Sequence, residues 1–352
     1  MVRIPLPRLQ RFAVELLQAG GASPEEAATV GASLVRSDAM GYASHGVMRI
    51  PFYLDMLQRG DLVSDAPLEL LARRPSAIAA DGGWGFGQVQ MGRLLELAIE
   101  SAAAHGIVVA TLRHSGHIGR LGEYVERAAR NGLLAHMMVN THGAARRVAP
   151  PGGTEPRLGT NPIAFGVPHE LHPIVLDFST SATAEGKVRV HRIAGTPCPP
   201  GWLLDADGRP TTDPNVLYED PPGTILPFGG EQAYKGFGLS LMVEFFAGAL
   251  SGGLCAREQP ITPKGNCVML LLIDPDALGG SAHFAAQASS LVEFVRGCKV
   301  AEPGGEVLLP GDPERRRLAR AEDVGVSIDE SSWQRLVHRA AELGVATPSP
   351  NG

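Results

Sequence analysis

Gly106-Ile107-Val108-Val109-Ala110-Thr111-Leu112 is the stretch that decides the fold. The segment before it, Gly87 to about His105, carries Ala and Leu at three- and four-residue spacing, so it reads as a helix that Gly106 stops. The six residues after the glycine are apolar without alternation, the pattern of a strand covered on both faces. The same punctuation recurs outward in both directions. Downstream, a helix from about Gly119 to Asn131 is ended by Gly132 and leads into a strand from Leu133 to Val139. Upstream, Ala77 to Ala80 is apolar and closes on Asp81-Gly82-Gly83, a strand and turn. Helices alternating with buried strands predict the α/β class with a largely buried sheet.

The first 60 residues are helical in pattern. Ser23-Pro24-Glu25-Glu26 is a capping box with proline at the first helical position, and the helix it opens runs to about Ala39. A further helix is expected from Val47 to about Arg59. Between Pro150 and Pro227 glycine and proline are dense, with short strands at Ile163–Val167 and Ile174–Phe178. Gly195 to Gly223 reads as a long irregular excursion, a kind of segment that is usually functional. Gly236 to about Gly248 is helical, Cys267 to Ile273 a strand, and Ser281 to about Arg296 a helix. Asp329 caps the last helix and Gly344 stops it.

At 352 residues the chain has room for two domains. The expected division is a helical N-terminal subdomain over residues 1-70 packed with 300-352, and an α/β domain over 71-299 expected to carry the cofactor- and substrate-binding residues. A net charge of −6, with no basic stripe and only 5% aromatic residues, argues against nucleic-acid and anionic-membrane partners. No apolar run approaches the length of a membrane span, and the start lacks a signal-peptide core. Cys198, Cys255, Cys267 and Cys298 form no CxxC pair and read as reduced thiols of a cytoplasmic protein.

Chemistry concentrates in Ser44-His45-Gly46-Val47-Met48-Arg49-Ile50-Pro51. An imidazole four residues before a guanidinium sets a proton donor beside a carboxylate clamp, as reduction of a 2-oxo acid requires. The same spacing also describes a helix start with Ser44 as cap and Arg49 in solvent. Other motifs fail. Gly83-Trp84-Gly85-Phe86-Gly87 has the wrong spacing for a dinucleotide fingerprint, and Gly186-Lys187 is followed by Val188, so there is no phosphate-binding Walker loop. His114 and His117 are three apart, but no third metal ligand is evident, and no metal is expected.

Six segments, read in order, resemble the malate/L-lactate dehydrogenase type-2 family of NAD(P)-dependent oxidoreductases, whose fold is not that of the Rossmann lactate dehydrogenases. They are Ser44 to Arg49, Gly159-Thr160-Asn161-Pro162-Ile163-Ala164-Phe165, Leu176-Asp177-Phe178-Ser179-Thr180-Ser181, Gly186-Lys187-Val188, Tyr234-Lys235-Gly236-Phe237-Gly238-Leu239 and Leu308-Leu309-Pro310-Gly311. His117-Ile118-Gly119-Arg120, Pro199-Pro200-Gly201, Pro210-Thr211-Thr212 and Asn266-Cys267 resemble its hydroxycarboxylate branch. The resemblance implies a non-Rossmann mixed-sheet α/β core with a helical N-terminal subdomain joined by the C-terminal helices. It also implies a homodimer with the site near the subunit contact.

By the same resemblance the reaction moves a hydride between nicotinamide, as NAD or NADP, and a 2-oxo or 2-hydroxy acid of the aryl pyruvate, malate or lactate type. His45 donates or accepts the proton, Ser44 orients it or binds substrate, Gly46 lets a ligand come close, and Arg49 clamps the carboxylate. His117 is the rival acid/base. Cofactor contacts are expected from His45, Gly119, Arg120, Leu121, Asn161, Val175, Leu176, Asp177, Phe178, Ser179, Tyr234, Lys235, Asn266, Gly311, Asp312, Pro313 and Glu314. Asn161, placed before a proline, is expected to be extended with its amide facing a ligand. The alternatives are a reductase of cyclic imino acids such as piperideine- or pyrroline-2-carboxylate, and a non-catalytic nucleotide-binding protein on the same fold.

Overall fold

The computed structural model describes residues 1–259 and 261–349. Strand β1 (Val2–Ile4) precedes helices α1 (Leu6–Ala19) and α2 (Pro24–Ala39). The Ser23 hydroxyl accepts from the Glu26 amide and the Glu26 carboxylate accepts from the Ser23 amide, so the capping box forms. It contributes about 1 kcal/mol to α2. Two single 3-10 turns, Ala43–His45 and Val47–Arg49, then lead into α3 (Ile50–Arg59). The helix expected from Val47 becomes α-helical only at Ile50. Pro51 has no N–H to return to the Val47 carbonyl, so an α turn cannot close there.

Strands β2 (Glu69–Arg74) and β3 (Ala77–Asp81) pair antiparallel. All six residues of β2 are exposed, so it lacks the apolar signal that marks the other strands. Next come α4 (Gly87–His105), β4 (Ile107–Ser115), α5 (Gly122–Arg130), β5 (Leu134–Asn140), β6 (Pro162–Val167), β7 (Ile174–Ser179) and α6 (Glu185–Ala194). Helix α5 begins three residues later than expected because Gly119 has φ +79°, outside the helical region.

The segment from Gly195 to Gly223 is not an irregular excursion. It folds with its neighbours into a small sheet of β8 (Leu203–Leu204), β9 (Pro210–Thr211) and β10 (Thr224–Ile225), ordered β10-β8-β9. That sheet closes over Cys198, Leu203, Val216, Leu217 and Ile225. Strands this short carry no readable periodicity. The remaining elements are α7 (Tyr234–Val243) with a π-helical continuation over Glu244–Ala249, β11 (Asn266–Ile273), α8 (Ser281–Arg296), α9 (Asp312–Val324), β12 (Val326–Ile328) and α10 (Glu330–Leu343).

The central sheet has seven strands in the order β2-β3-β4-β11-β5-β6-β7. Only β3 and β4 run parallel; every other adjacent pair is antiparallel. The core is therefore a mixed sheet and not a doubly wound one. Helices α4 and α5 bury Leu94, Leu95 and Val125 against Val108, Met137 and Leu270 on one face. On the other, Val243 and Ala247 cover Met138, Ile163 and Met269. A separate core joins the chain ends: Phe12, Leu16, Leu34 and Tyr53 of the first three helices meet Trp333 and Leu336 of α10, and β1 pairs with β12. This clamp holds the 3-10 turns against the loop that follows β4.

Candidate active site

The site lies where those two segments meet. The Ser44 carbonyl accepts from Arg49 Nε at 2.7 Å, and the Ser44 hydroxyl lies 2.9 Å from His45 Nδ1. The Asp38 carboxylate, near the end of α2, accepts from the Val47 amide at 2.7 Å. Burial pushes the Asp38 carboxyl up to about 8. A Cβ at Gly46 would overlap that carboxylate. Packing against Asp38 is thus sufficient by itself to require glycine at 46. Gly46→Ala is expected to cost about 1–3 kcal/mol of stability through this overlap. Chemical denaturation measures it, and an unchanged midpoint would contradict the packing argument.

His117 stands in the loop after β4. Its Nδ1 is 2.7 Å from the Tyr53 hydroxyl on α3, and that hydroxyl accepts from Gln88 Nε2 on α4 at 3.1 Å. The Tyr53 hydroxyl thus links His117 to Gln88 and fixes the orientation of the imidazole. The His45 and His117 rings face each other with centroids 5.4 Å apart and planes 31° apart. Burial, then Arg49 and Arg120, lowers the His45 pKa to about 3. Burial, then Arg49 and His45, holds His117 well below the ordinary histidine value. Both rings are neutral at neutral pH.

Arg49 and His117 share the wall of a cavity of about 680 Å³ with Phe52, Thr141 and Asn266. His45 is not in that wall. It sits beside His117, where the charges of both Arg49 and Arg120 reach it. Asn266 accepts from the Ile118 amide at 3.0 Å and donates to the Asn140 carbonyl at 2.9 Å, so it pins the His117 loop to β5.

Arg120 belongs to a second, narrower cleft that Tyr42, Val175, Asp177, Gly311 and Glu314 also line. Five of the residues expected to hold the cofactor thus converge from three distant segments. Arg120 is 3% exposed, its guanidinium lies 5.6 Å from the Tyr42 ring centre, and its Nε and one terminal nitrogen have no hydrogen-bond partner. Buried donors left open in this way fit an incoming anion or hydroxyl. The Asp177 carboxylate accepts from the Gly122 amide at 2.7 Å at the start of α5, and the Tyr42 hydroxyl donates to Glu314 at 3.2 Å. Burial raises the Asp177 pKa. The cleft encloses only about 20 Å³.

Other expected residues fall elsewhere. Asn161 is not extended but has φ +34°. It is 1% exposed, its amide nitrogen donates to Ser240 and Glu244, and its buried Oδ1 has no hydrogen-bond partner among the described residues. Asparagine tolerates that left-handed backbone better than most residues. Alternation along β7 turns Leu176 and Phe178 away from Asp177, and Phe178 packs edge-on to Phe228 at 5.8 Å. Ser179 bonds within its own turn to Ser181. Leu121 is buried in the sheet core. Asp312 accepts from the Leu309 amide and pairs with Arg296 and Arg315, and Pro313 occupies the first turn of α9. Tyr234 is 62% exposed at the start of α7, with Lys235 Nζ 6.0 Å from its ring, and neither lines either of these two cavities. His114 bonds Asp81 at 2.9 Å and packs on Trp84, so it and His117 serve different partners.

The sequence reading missed Asp38, Tyr42, Tyr53 and Gln88. Tyr53 alone carried a signal: it follows Arg49 by four residues, one helical turn along the same face.

A buried arginine, a histidine pair held neutral and a polar cleft thus stand together on this fold. The malate/L-lactate dehydrogenase family model matches residues 4–337, and the chain belongs to that family, as an oxidoreductase acting on the CH–OH group of donors. It is 34% identical to hydroxycarboxylate dehydrogenase B of Escherichia coli O157:H7, over 97% of this chain and 95% of that protein. It is also 34% identical to L-sulfolactate dehydrogenase of Methanothermobacter thermautotrophicus, over 92% of each. Among solved structures, Δ1-piperideine-2-carboxylate reductase of Pseudomonas syringae pv. tomato superposes with a TM-score of 0.83 at 33% identity, covering 97% of this chain and all of that one.

Proposed function

We propose that this protein is an NAD(P)-dependent 2-hydroxy acid dehydrogenase that works as a 2-oxo acid reductase. One observation carries the reading: the Arg49 guanidinium and the His117 imidazole stand in the wall of the same cavity. Arg49 uses Nε on the Ser44 carbonyl, which leaves its terminal nitrogens to fork onto a carboxylate. His117, oriented through Tyr53 and Gln88, exchanges the proton with the substrate oxygen. His45, whose ring lies 5.4 Å from that of His117 and feels the charges of Arg49 and Arg120, is the second candidate for the proton.

The nicotinamide cofactor supplies the hydride. Arg120, Tyr42, Asp177, Glu314 and the Gly311 backbone are the groups that would hold it. The carboxylates of Asp177 and Glu314 suit ribose hydroxyls and repel a 2′-phosphate, and Arg120 already faces Glu126 at 3.6 Å. NADH is therefore the expected coenzyme. A panel of 2-oxo acids assayed with NADH and NADPH tests this. The expected result is turnover with NADH exceeding that with NADPH by about tenfold or more, the equivalent of one charge contact; NADPH preference would reverse the assignment of the cleft.

The likeness to a Δ1-piperideine-2-carboxylate reductase favours a second reading, hydride addition to C=N on a cyclic imino acid. It needs the same clamp but not the proton donor. Piperideine-2-carboxylate in the same panel separates the two. For assembly, the proposal is a homodimer. Phe245, Phe246 and Leu250 beside the sheet, and Leu291 and Phe294 on α8, are large apolar side chains left exposed on the single chain.

A further inference from the structure

A buried carboxylate outside the cavity wall stands at the end of a hydrogen-bonded chain that leads to His117. Glu244 opens the π-helical turn after α7 and is 3% exposed. Its Oε1 accepts from Asn161 Nδ2 at 2.8 Å, and its Oε2 accepts from Asn140 Nδ2 and from the Ala256 amide, both at 2.8 Å. All three donors are neutral, and burying a carboxylate on neutral donors alone is costly. The π turn fits this arrangement closely: a Cβ at Gly248 would come within 2.6 Å of Asn140 Nδ2. Turns of this kind inside a helix are frequent at functional sites.

Asn140 passes the contact on. It is the last residue of β5, paired across the ladder with Cys267 of β11. Its carbonyl accepts from Asn266 Nδ2 at 2.9 Å, and Asn266 Oδ1 accepts from the Ile118 amide at 3.0 Å. Ile118 directly follows His117. The His117 loop therefore has two holds. Tyr53 and Gln88 act on the ring, and the chain that ends on Glu244 acts on the backbone. His117 and Asn266 line the cavity, whereas Glu244, Asn140 and Asn161 do not. The residue type at 244 follows from the donor count. A carboxylate accepts at both oxygens, but a glutamine amide would turn its own N–H groups against a donor.

We propose that Glu244 is a positioning residue of the reaction: through Asn140 and Asn266 it holds the backbone of the His117 loop, so that the imidazole meets the substrate oxygen in bonding geometry. This inference rests on the assignment of His117 above. Glu244 lies in the wall of neither the cavity nor the cleft, so its influence passes through the loop. A misplacement of about 1 Å in a reacting group is enough to cost about 10²-fold in rate. The same network gives Asn161 its place, since its amide nitrogen serves the second oxygen of Glu244.

The test is a double-mutant cycle between Glu244→Gln and His117→Ala. Glu244→Gln is expected to lower kcat for 2-oxo acid reduction by about 10- to 100-fold per NADH-binding site, with KM for NADH changed by about twofold at most. In the His117→Ala background the same substitution is expected to change kcat by about twofold or less, because its route to the reaction is already gone. Wild-type kcat in Glu244→Gln would overturn the proposal. An equal fall in both backgrounds would also overturn it, since that is the mark of a merely structural role. If Glu244→Gln yields no folded protein, Glu244→Asp takes its place in the cycle, keeping the acceptor oxygens and shortening their reach, and the same results decide. If His117→Ala itself leaves kcat unchanged, the assigned proton donor has failed, and the hold on the loop is still read by amide hydrogen exchange. The Ile118 amide is then expected to exchange about tenfold faster in the Glu244 variant than in the wild type; an unchanged rate would sink the positioning link on its own.

Discussion

His117→Ala lowers kcat for 2-oxo acid reduction by about 10²- to 10⁴-fold, the range that a positioned acid/base group supplies. NADH binding persists, because the nucleotide cleft is built around Arg120 and Asp177 and not around His117. His45→Ala has a smaller effect, since His117 and not His45 lines the cavity that holds Arg49. Stopped-flow turnover and NADH fluorescence titration measure the two quantities. Loss of turnover in His45→Ala with His117→Ala active would transfer the role to His45.

The pH dependence follows from the same residues. The groups facing His117 are Arg49, His45 and Tyr53, and burial with the Arg49 charge keeps the ring neutral near pH 7. Reduction consumes a proton, so it needs the minority imidazolium form, whose population falls as pH rises. Its kcat/KM is expected to decline with increasing pH through the neutral range. Oxidation of the hydroxy acid needs the neutral ring, already in place, and stays flat until the medium is acidic enough to protonate it. A reduction rate that rises with pH would contradict this assignment.

Arg49→Lys raises KM for the oxo acid by about tenfold or more and leaves KM for NADH within a factor of two or so, because a bidentate fork is replaced by a point charge. Lysine also cannot reproduce the Nε bond to the Ser44 carbonyl, so the charge loses its anchor as well as its shape. Steady-state kinetics with each substrate varied in turn separates the two constants. An unchanged KM for the oxo acid would remove Arg49 from the clamp.

The parts of the fold that were legible in the sequence were those with long apolar periodicity and clear punctuation. Gly106 and Gly132 marked the boundaries of α4 and α5, and Ser281–Arg296 is a helix over the expected range. Strand β2 was illegible because it is exposed, and β8 to β10 because two residues hold no pattern. In the site, Arg120, Asp177, Gly311 and Glu314 were expected from segments separated by up to about 190 residues, and the fold brings them to one cleft. Asn161 turned inward because Ser240 and Glu244 satisfy its amide, a tertiary fact that the Asn-Pro dipeptide does not encode. Tyr53 and Gln88 orient His117 from two different helices, a relation that spacing along the chain does not contain.

The central claim is that hydride passes from the cofactor to the carbonyl carbon of an acid held by Arg49. Incubation with NADH deuterated at C4 and a 2-oxo acid, followed by mass spectrometry of the product, tests it directly. The account predicts a 2-hydroxy acid carrying deuterium at C2. NADH that binds while the oxo acid is returned unreduced, or a product without the label, would contradict it.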